Sequence, residues 1–122
     1  MEREACTFCR IIGGREPAVF RHRDDRAVVF LNRLQWVPVM LLVVPTEHMS
    51  QAELWASGDL MAHVARLAVE MGERYCPGGF RLLSNFGHDA MQTQPHAHVH
   101  VLGGAHLGLY LQGPDVPYLG YG

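Results

Sequence analysis

The residues with the clearest chemical potential lie in one run, His96-Ala97-His98-Val99-His100-Val101-Leu102, where imidazoles alternate with apolar side chains. In an extended strand this period of two puts the three histidines on one face and Ala97, Val99 and Val101 on the other. Burying the apolar face then presents the imidazoles to a cleft. Imidazole changes charge near neutral pH, and its neutral form is a nucleophile, a proton carrier and a metal ligand. Geometry limits the choice among these roles. At about 3.3 Å per residue His96 and His100 stand roughly 13 Å apart at the backbone, too far to share one ion, whereas neighbours about 7 Å apart can converge on one. One reading is therefore a zinc-dependent hydrolase with the metal on His98 and His100.

A second pattern, Cys6-Thr7-Phe8-Cys9, has the spacing at which two thiolates bind one tetrahedral zinc, although two reduced buried cysteines explain it equally well on their own. His48, just after Pro45-Thr46-Glu47, and one member of the histidine run can complete a Cys2His2 set. A closed set of four ligands is structural and not catalytic. A third group, Asn85-Phe86-Gly87-His88-Asp89 with Gln92-Thr93-Gln94-Pro95, offers amide, hydroxyl and backbone N–H donors that bind phosphate oxygens without net positive charge.

Periodicity in the sequence indicates the strands and helix that carry these groups. Ala18 to Arg23 and Arg26 to Asn32 flank Asp24-Asp25 and read as a hairpin. Val39 to Val44, closed by Pro45, is a continuous apolar run of strand length and is expected to be central and buried. From Ser57 or Asp59, both plausible N-caps, Leu60, Val64, Leu67 and Met71 recur at helical spacing, with His63, Arg66, Glu70 and Glu73 on the opposite face. Cys76-Pro77-Gly78-Gly79 ends that helix. Phe80 to Asn85 and His96 to Leu102 read as two further strands, and residues 108–122 form a Gly-, Pro- and Tyr-containing tail.

The whole chain sets bounds on partners. Its 122 residues suit a single domain, and a hydrophobic fraction of 48% with 18% charged residues is that of a globular protein. A net charge of −2 argues against tight binding to long nucleic acid, while a small phosphorylated ligand remains within reach. No secretory leader and no membrane-length apolar run is evident, so a cytoplasmic location is expected. Three cysteines cannot all pair within one chain, which fits a reducing compartment, with Cys76 as a bystander.

Over about residues 5–104, these segments resemble the histidine-triad (HIT) nucleotide-binding proteins, especially the nucleoside phosphoramidate and diadenosine polyphosphate hydrolases. The resemblance rests on Cys6-Thr7-Phe8-Cys9-Arg10-Ile11-Ile12, Val28-Val29-Phe30-Leu31-Asn32, Leu42-Val43-Val44-Pro45-Thr46-Glu47-His48, Arg81-Leu82-Leu83-Ser84-Asn85-Phe86-Gly87 and, most specifically, Gln92-Thr93-Gln94-Pro95 with the histidine run. It implies an α+β fold, an antiparallel sheet of about five strands with one long helix packed on it, and a homodimer formed through that helix and the strand after it. It implies a small nucleotide substrate, with His98 attacking the α-phosphorus to form a nucleotidyl-histidine and His100 contacting the phosphate and aiding the leaving group. Phe30 and Asn32 would serve the nucleoside, and Asn85, Gln92 and Thr93 the phosphate oxygens. Cys6, Cys9, His48 and His96 would hold a structural zinc. A transferase is the nearest alternative within the superfamily, and a non-catalytic zinc-containing nucleotide-binding module is the alternative from another class. Five positions depart from the pattern: Asn32 replaces the usual carboxylate, Met40 a frequent histidine, Ala90-Met91 a common Gly-Gly, and Arg33 an apolar residue.

Overall fold

In the computed structural model, which describes residues 5–111, the apolar run becomes the middle strand of five. The strands are β1 (Phe20–Arg23), β2 (Ala27–Leu31), β3 (Val39–Pro45), β4 (Phe80–Leu83) and β5 (Val99–Gly103). They pair in the order β1-β2-β3-β5-β4, every pair antiparallel. β3 is covered on both faces, which is why it carries no polar alternation. Among the described residues, three α-helices, α1 (Thr7–Ile12), α2 (Gln51–Trp55) and α3 (Asp59–Tyr75), and one 3-10 turn at His88–Ala90 accompany the sheet.

The two sheet faces are sorted by period two. Ala27, Val29, Leu41, Val43, Val99 and Val101 point to one face, where α3 covers them with Val64, Leu67, Ala68 and Met71. Val28, Phe30, Leu42 and Val44 point to the other, under Phe8, Cys9 and Ile11 of α1. The long helix lies close to the sheet because Gly72 has no side chain: a Cβ there would stand 2.3 Å from the Phe80 ring. Among the described residues, no helix is long and apolar enough to cross a membrane.

The hairpin forms as expected, and Asp24 explains how Asp-Asp makes its turn. One carboxylate oxygen accepts the N–H groups of Arg26 (2.7 Å) and Ala27 (2.8 Å), while the other accepts from Nε2 of His22 (2.6 Å) and of His63 (2.8 Å). His63 is therefore half-buried against the hairpin and does not lie on a solvent face with Arg66.

Boundaries differ where side chains take over from the ladder. α3 begins at Asp59 with Gly58, and neither Ser57 nor Asp59, at its N-cap, while the Ser57 hydroxyl one residue earlier accepts the Met61 N–H at 3.0 Å. β4 ends at Leu83 and not Asn85, since the Ser84 hydroxyl instead donates to the His98 carbonyl at 2.6 Å. β5 starts at Val99 and not His96: the Ala97 N–H is taken by the Met49 carbonyl (2.8 Å) and the His98 N–H by the Gln51 side chain (3.0 Å). Two short helices, α1 and α2, were not expected. The part of the expected tail beyond residue 111 lies outside the described residues.

Candidate active site and metal centre

Cys6 occupies the N-cap of α1, where its sulfur accepts the Cys9 N–H at 3.4 Å, so one turn of helix brings both thiols to the same point. His48 follows β3, and His96 lies just ahead of β5, the strand paired with β3. Their donor atoms meet: the two Sγ atoms and one nitrogen from each ring all lie within 4.8 Å of one another. Nδ1 of His96 is 3.5 Å from both sulfurs, and Nδ1 of His48 is 3.4 Å from that of Cys9.

Hydrogen bonding fixes the His96 tautomer. Its Nε2 faces the Pro45 carbonyl at 2.8 Å, and a carbonyl only accepts, so Nε2 carries the proton and Nδ1 turns a lone pair to the thiols. Burial pushes the Cys6 thiol above its ordinary pKa and lowers that of His96 to about 4, so in the bare cluster the sulfur is protonated and the ring neutral. A divalent cation is the group that holds such thiols as thiolates. Two sulfurs and two imidazoles at this spacing fit a tetrahedral ion, and four protein ligands leave it no open position.

The next histidine is constrained by similar logic. Nδ1 of His98 donates to the His96 carbonyl at 2.8 Å, which leaves Nε2 as the unprotonated nitrogen. The backbone on either side is clamped by Gln51, which accepts the His98 N–H, and by the Ser84 hydroxyl on the His98 carbonyl. The Gln51 amide also donates to the Asn85 carbonyl at 3.2 Å, tying the His98 backbone to the loop after β4. Phe8 packs edge-on against the His98 ring at 5.2 Å, and His100 lies 5.0 Å from it. Burial lowers the pKa of His98 against the opposing pull of the His96 carbonyl. Burial, with His98 nearby, lowers His100 to about 4. Both rings are thus neutral at pH 7.

These two rings line a cavity of about 1020 Å³, together with Phe30, Asn32, Asn85 and Thr93. Across the sheet, Phe30 stands opposite Leu42, Leu42 opposite His100, and His100 opposite Leu83. Gln92 is the expected phosphate contact that does not line the cavity: its side chain accepts the Gly87 N–H (2.8 Å) and donates to the Gln94 carbonyl (3.0 Å), bracing the loop from within. Asn32 reaches the cavity, but its Oδ1 already accepts the Leu34 N–H at 3.0 Å.

The HIT domain profile matches residues 14–107. The chain belongs to the HIT family. A histidine triad protein of Clostridium difficile is 31% identical, with a TM-score of 0.82 over 91% of this chain and 100% of the other. A HIT family hydrolase of Clostridium thermocellum is 29% identical, with a TM-score of 0.80 over 94% and 99%. An uncharacterized HIT-like protein of Saccharolobus solfataricus is 30% identical over 91% of this chain and 78% of its own. Within this HIT protein, Gln51 and Ser84 are the positioning residues that motif reading passed over. The one available signal was the Ser50-Gln51-Ala52-Glu53 capping box, which the structure forms and which starts α2 with Gln51 at its first position.

Proposed function

We propose that this HIT protein is a nucleotide hydrolase that cleaves a nucleoside phosphoramidate or dinucleoside polyphosphate at the α-phosphate through a nucleotidyl-His98 intermediate. The observation carrying this reading is the His98 Nδ1–H bond to the His96 carbonyl, which leaves a neutral imidazole with Nε2 as its nucleophilic atom at the cavity wall. The His98 nitrogen lone pair forms a bond to phosphorus while the bond to the leaving group breaks and that group keeps the electron pair. The leaving group takes up a proton from solvent, with the N–H of neutral His100 beside it, and a proton returns to solvent when water attacks in the second step. Water then adds to phosphorus, releasing the nucleoside monophosphate and restoring the imidazole. Asn85 and Thr93 line the same cavity and supply donors for the charge on the phosphoryl oxygens. Phe30 and Asn32 face the nucleoside.

Cys6, Cys9, His48 and His96 suit zinc by ligand softness and number, and zinc held there would crosslink α1 to the segments beside β3 and β5. Three free cysteines support residence in a reducing compartment, consistent with the cytoplasm. The protein would act as a homodimer joined through α3 and β4.

Paired variants test the division of labour. His98→Gly should abolish turnover and the nucleotidyl adduct seen by mass spectrometry after an alkaline denaturing quench, with zinc content and melting temperature nearly unchanged. His96→Ala should lower zinc content and melting temperature, and EDTA should mimic it. Metal loss in His98→Gly with immediate arrest by EDTA would instead indicate a zinc-dependent hydrolase, and a wild type with no turnover would indicate a binding module.

A further inference from the structure

Of the two residues that separate Cys6 from Cys9, one is Phe8. Because Cys6 caps α1 and its sulfur accepts the Cys9 N–H, both sulfurs stand on one turn, within 4.8 Å of each other. The same turn places the Phe8 ring against two histidines, at 5.9 Å from the His96 ring and 5.2 Å from that of His98. A helix as short as α1 is not stable alone, so its seat on the sheet through Phe8, Cys9 and Ile11 depends on what holds its first turn.

His96 supplies a second link. Its Nδ1 faces both sulfurs, its Nε2 donates to the Pro45 carbonyl, and its own carbonyl accepts the Nδ1–H of His98. One residue is thus both a member of the sulfur cluster and the group that sets the His98 tautomer. A change at the thiols reaches His98 by two routes, through the Phe8 ring and through the His96 carbonyl.

Two thiols on one turn can also close on each other. Cys76 is no competitor: it caps the far end of α3, and its sulfur lies 2.6 Å from where a Cβ on Gly103 would stand, on the sheet face away from α1. Small solutes reach the cluster from the side of His48, which is half-buried, whereas Cys6, Cys9 and His96 are buried.

We infer that the Cys6–Cys9 pair is a redox-sensitive clamp on His98, closed while the thiolates hold a metal and opened when a peroxide oxidises them to a disulfide. One thiolate attacks the O–O bond of hydrogen peroxide and becomes a sulfenic acid as hydroxide leaves. The other thiolate attacks that sulfur, the S–S bond forms, and a second hydroxide departs. The two sulfurs lose two electrons and the peroxide gains them. The disulfide is no longer a thiolate ligand, so the metal is left with two imidazoles and dissociates, freeing α1 with Phe8 and the His96 segment. This rests on the zinc and hydrolase readings above.

The test treats the zinc-loaded protein with hydrogen peroxide. It follows zinc released to a chromogenic chelator, cysteine linkage by peptide mass spectrometry, kcat on adenosine 5′-phosphoramidate, and the nitrogen NMR signals of the His98 ring. Zinc should leave as a Cys6–Cys9 disulfide forms, the His98 signals should shift or broaden, and kcat should fall roughly ten- to a hundredfold, as expected for a misplaced reacting group. Dithiothreitol with added zinc should restore all four readings, and Cys76→Ser should respond as the wild type does. A disulfide through Cys76, or zinc loss with sulfinic acid and no disulfide, would overturn the switch. Complete disulfide formation with kcat and the His98 signals unchanged would overturn the link to His98. Absence of turnover before treatment, with the His98 signals still responding to peroxide, would overturn the hydrolase reading and leave the clamp in place. A protein that takes up no zinc would overturn the metal reading and the clamp together.

Discussion

Gln51 shows how much of a buried histidine's setting is supplied by a residue that does not line the cavity. It is 3% exposed, accepts from the His98 N–H and donates to the Asn85 carbonyl. Gln51→Leu strands both groups, each worth about 1–3 kcal/mol when buried without a partner. The expected result is a kcat lower by roughly ten- to a hundredfold, by the same energies, with zinc content retained. Gln51→Glu keeps the acceptor for His98 but loses the donor and places a carboxylate nearby. In the wild type, burial lowers the His98 pKa, so the acid limb of the kcat/KM profile should fall below the ordinary imidazole value of 6.5. In Gln51→Glu that limb should move to higher pH. Wild-type kcat in Gln51→Leu would defeat the positioning role. The histidine alternation was legible because it reports a strand's two faces. Gln51 was not, because its contact with His98 spans 47 positions of sequence and involves a backbone group that any residue could carry.

Among elements, the hairpin and α3 are joined by Asp24. Burial alone would raise its pKa, but hydrogen bonds from His22, Arg26, Ala27 and His63 outweigh that and hold the carboxyl well below the ordinary range. Its folded pKa is depressed, so its contribution is complete above the ordinary 3.8 and is lost as pH falls below it. Asp24→Asn should therefore destabilise the protein at pH 7 by about 1–3 kcal/mol. It should also flatten the loss of stability on acidification, measured by urea unfolding at several pH values; parallel curves for the two proteins would count against the clamp. The hairpin, β3 and α3 were readable because each carries a long or regular apolar pattern. α1 and α2, six and five residues long, were not, since too few turns exist to show a helical period. The expected strand start at His96 failed for a related reason: alternation persists through His96 and His98, but Met49 and Gln51 satisfy the backbone there in place of a neighbouring strand.

For the molecule as a whole, the sheet has two open edges of unlike character. β1 carries Arg21 and Arg23, both exposed, and a charged edge resists pairing. β4 reads Phe-Arg-Leu-Leu, and the Arg81 guanidinium is engaged with the chain after β5. Beside it, α3 leaves Val69 39% exposed. Light scattering should give twice the 13.7 kDa chain mass, and Val69→Glu should return the single-chain mass. A monomeric wild type would remove the dimer from the proposal. The carbonyl that sets the His98 tautomer has one further consequence, for how such a protein can diversify. A main-chain oxygen is present whatever side chain follows it, so the reactive nitrogen is insulated from drift in the surrounding sequence. The groups at the cavity mouth, Trp36 and Met91, are exposed and enjoy no such protection. Under the proposed reaction, a library confined to residues 33–36 and 90–91 should therefore shift the leaving-group preference, read from product release, while the His98 tautomer and the proposed nucleotidyl-His98 adduct are retained.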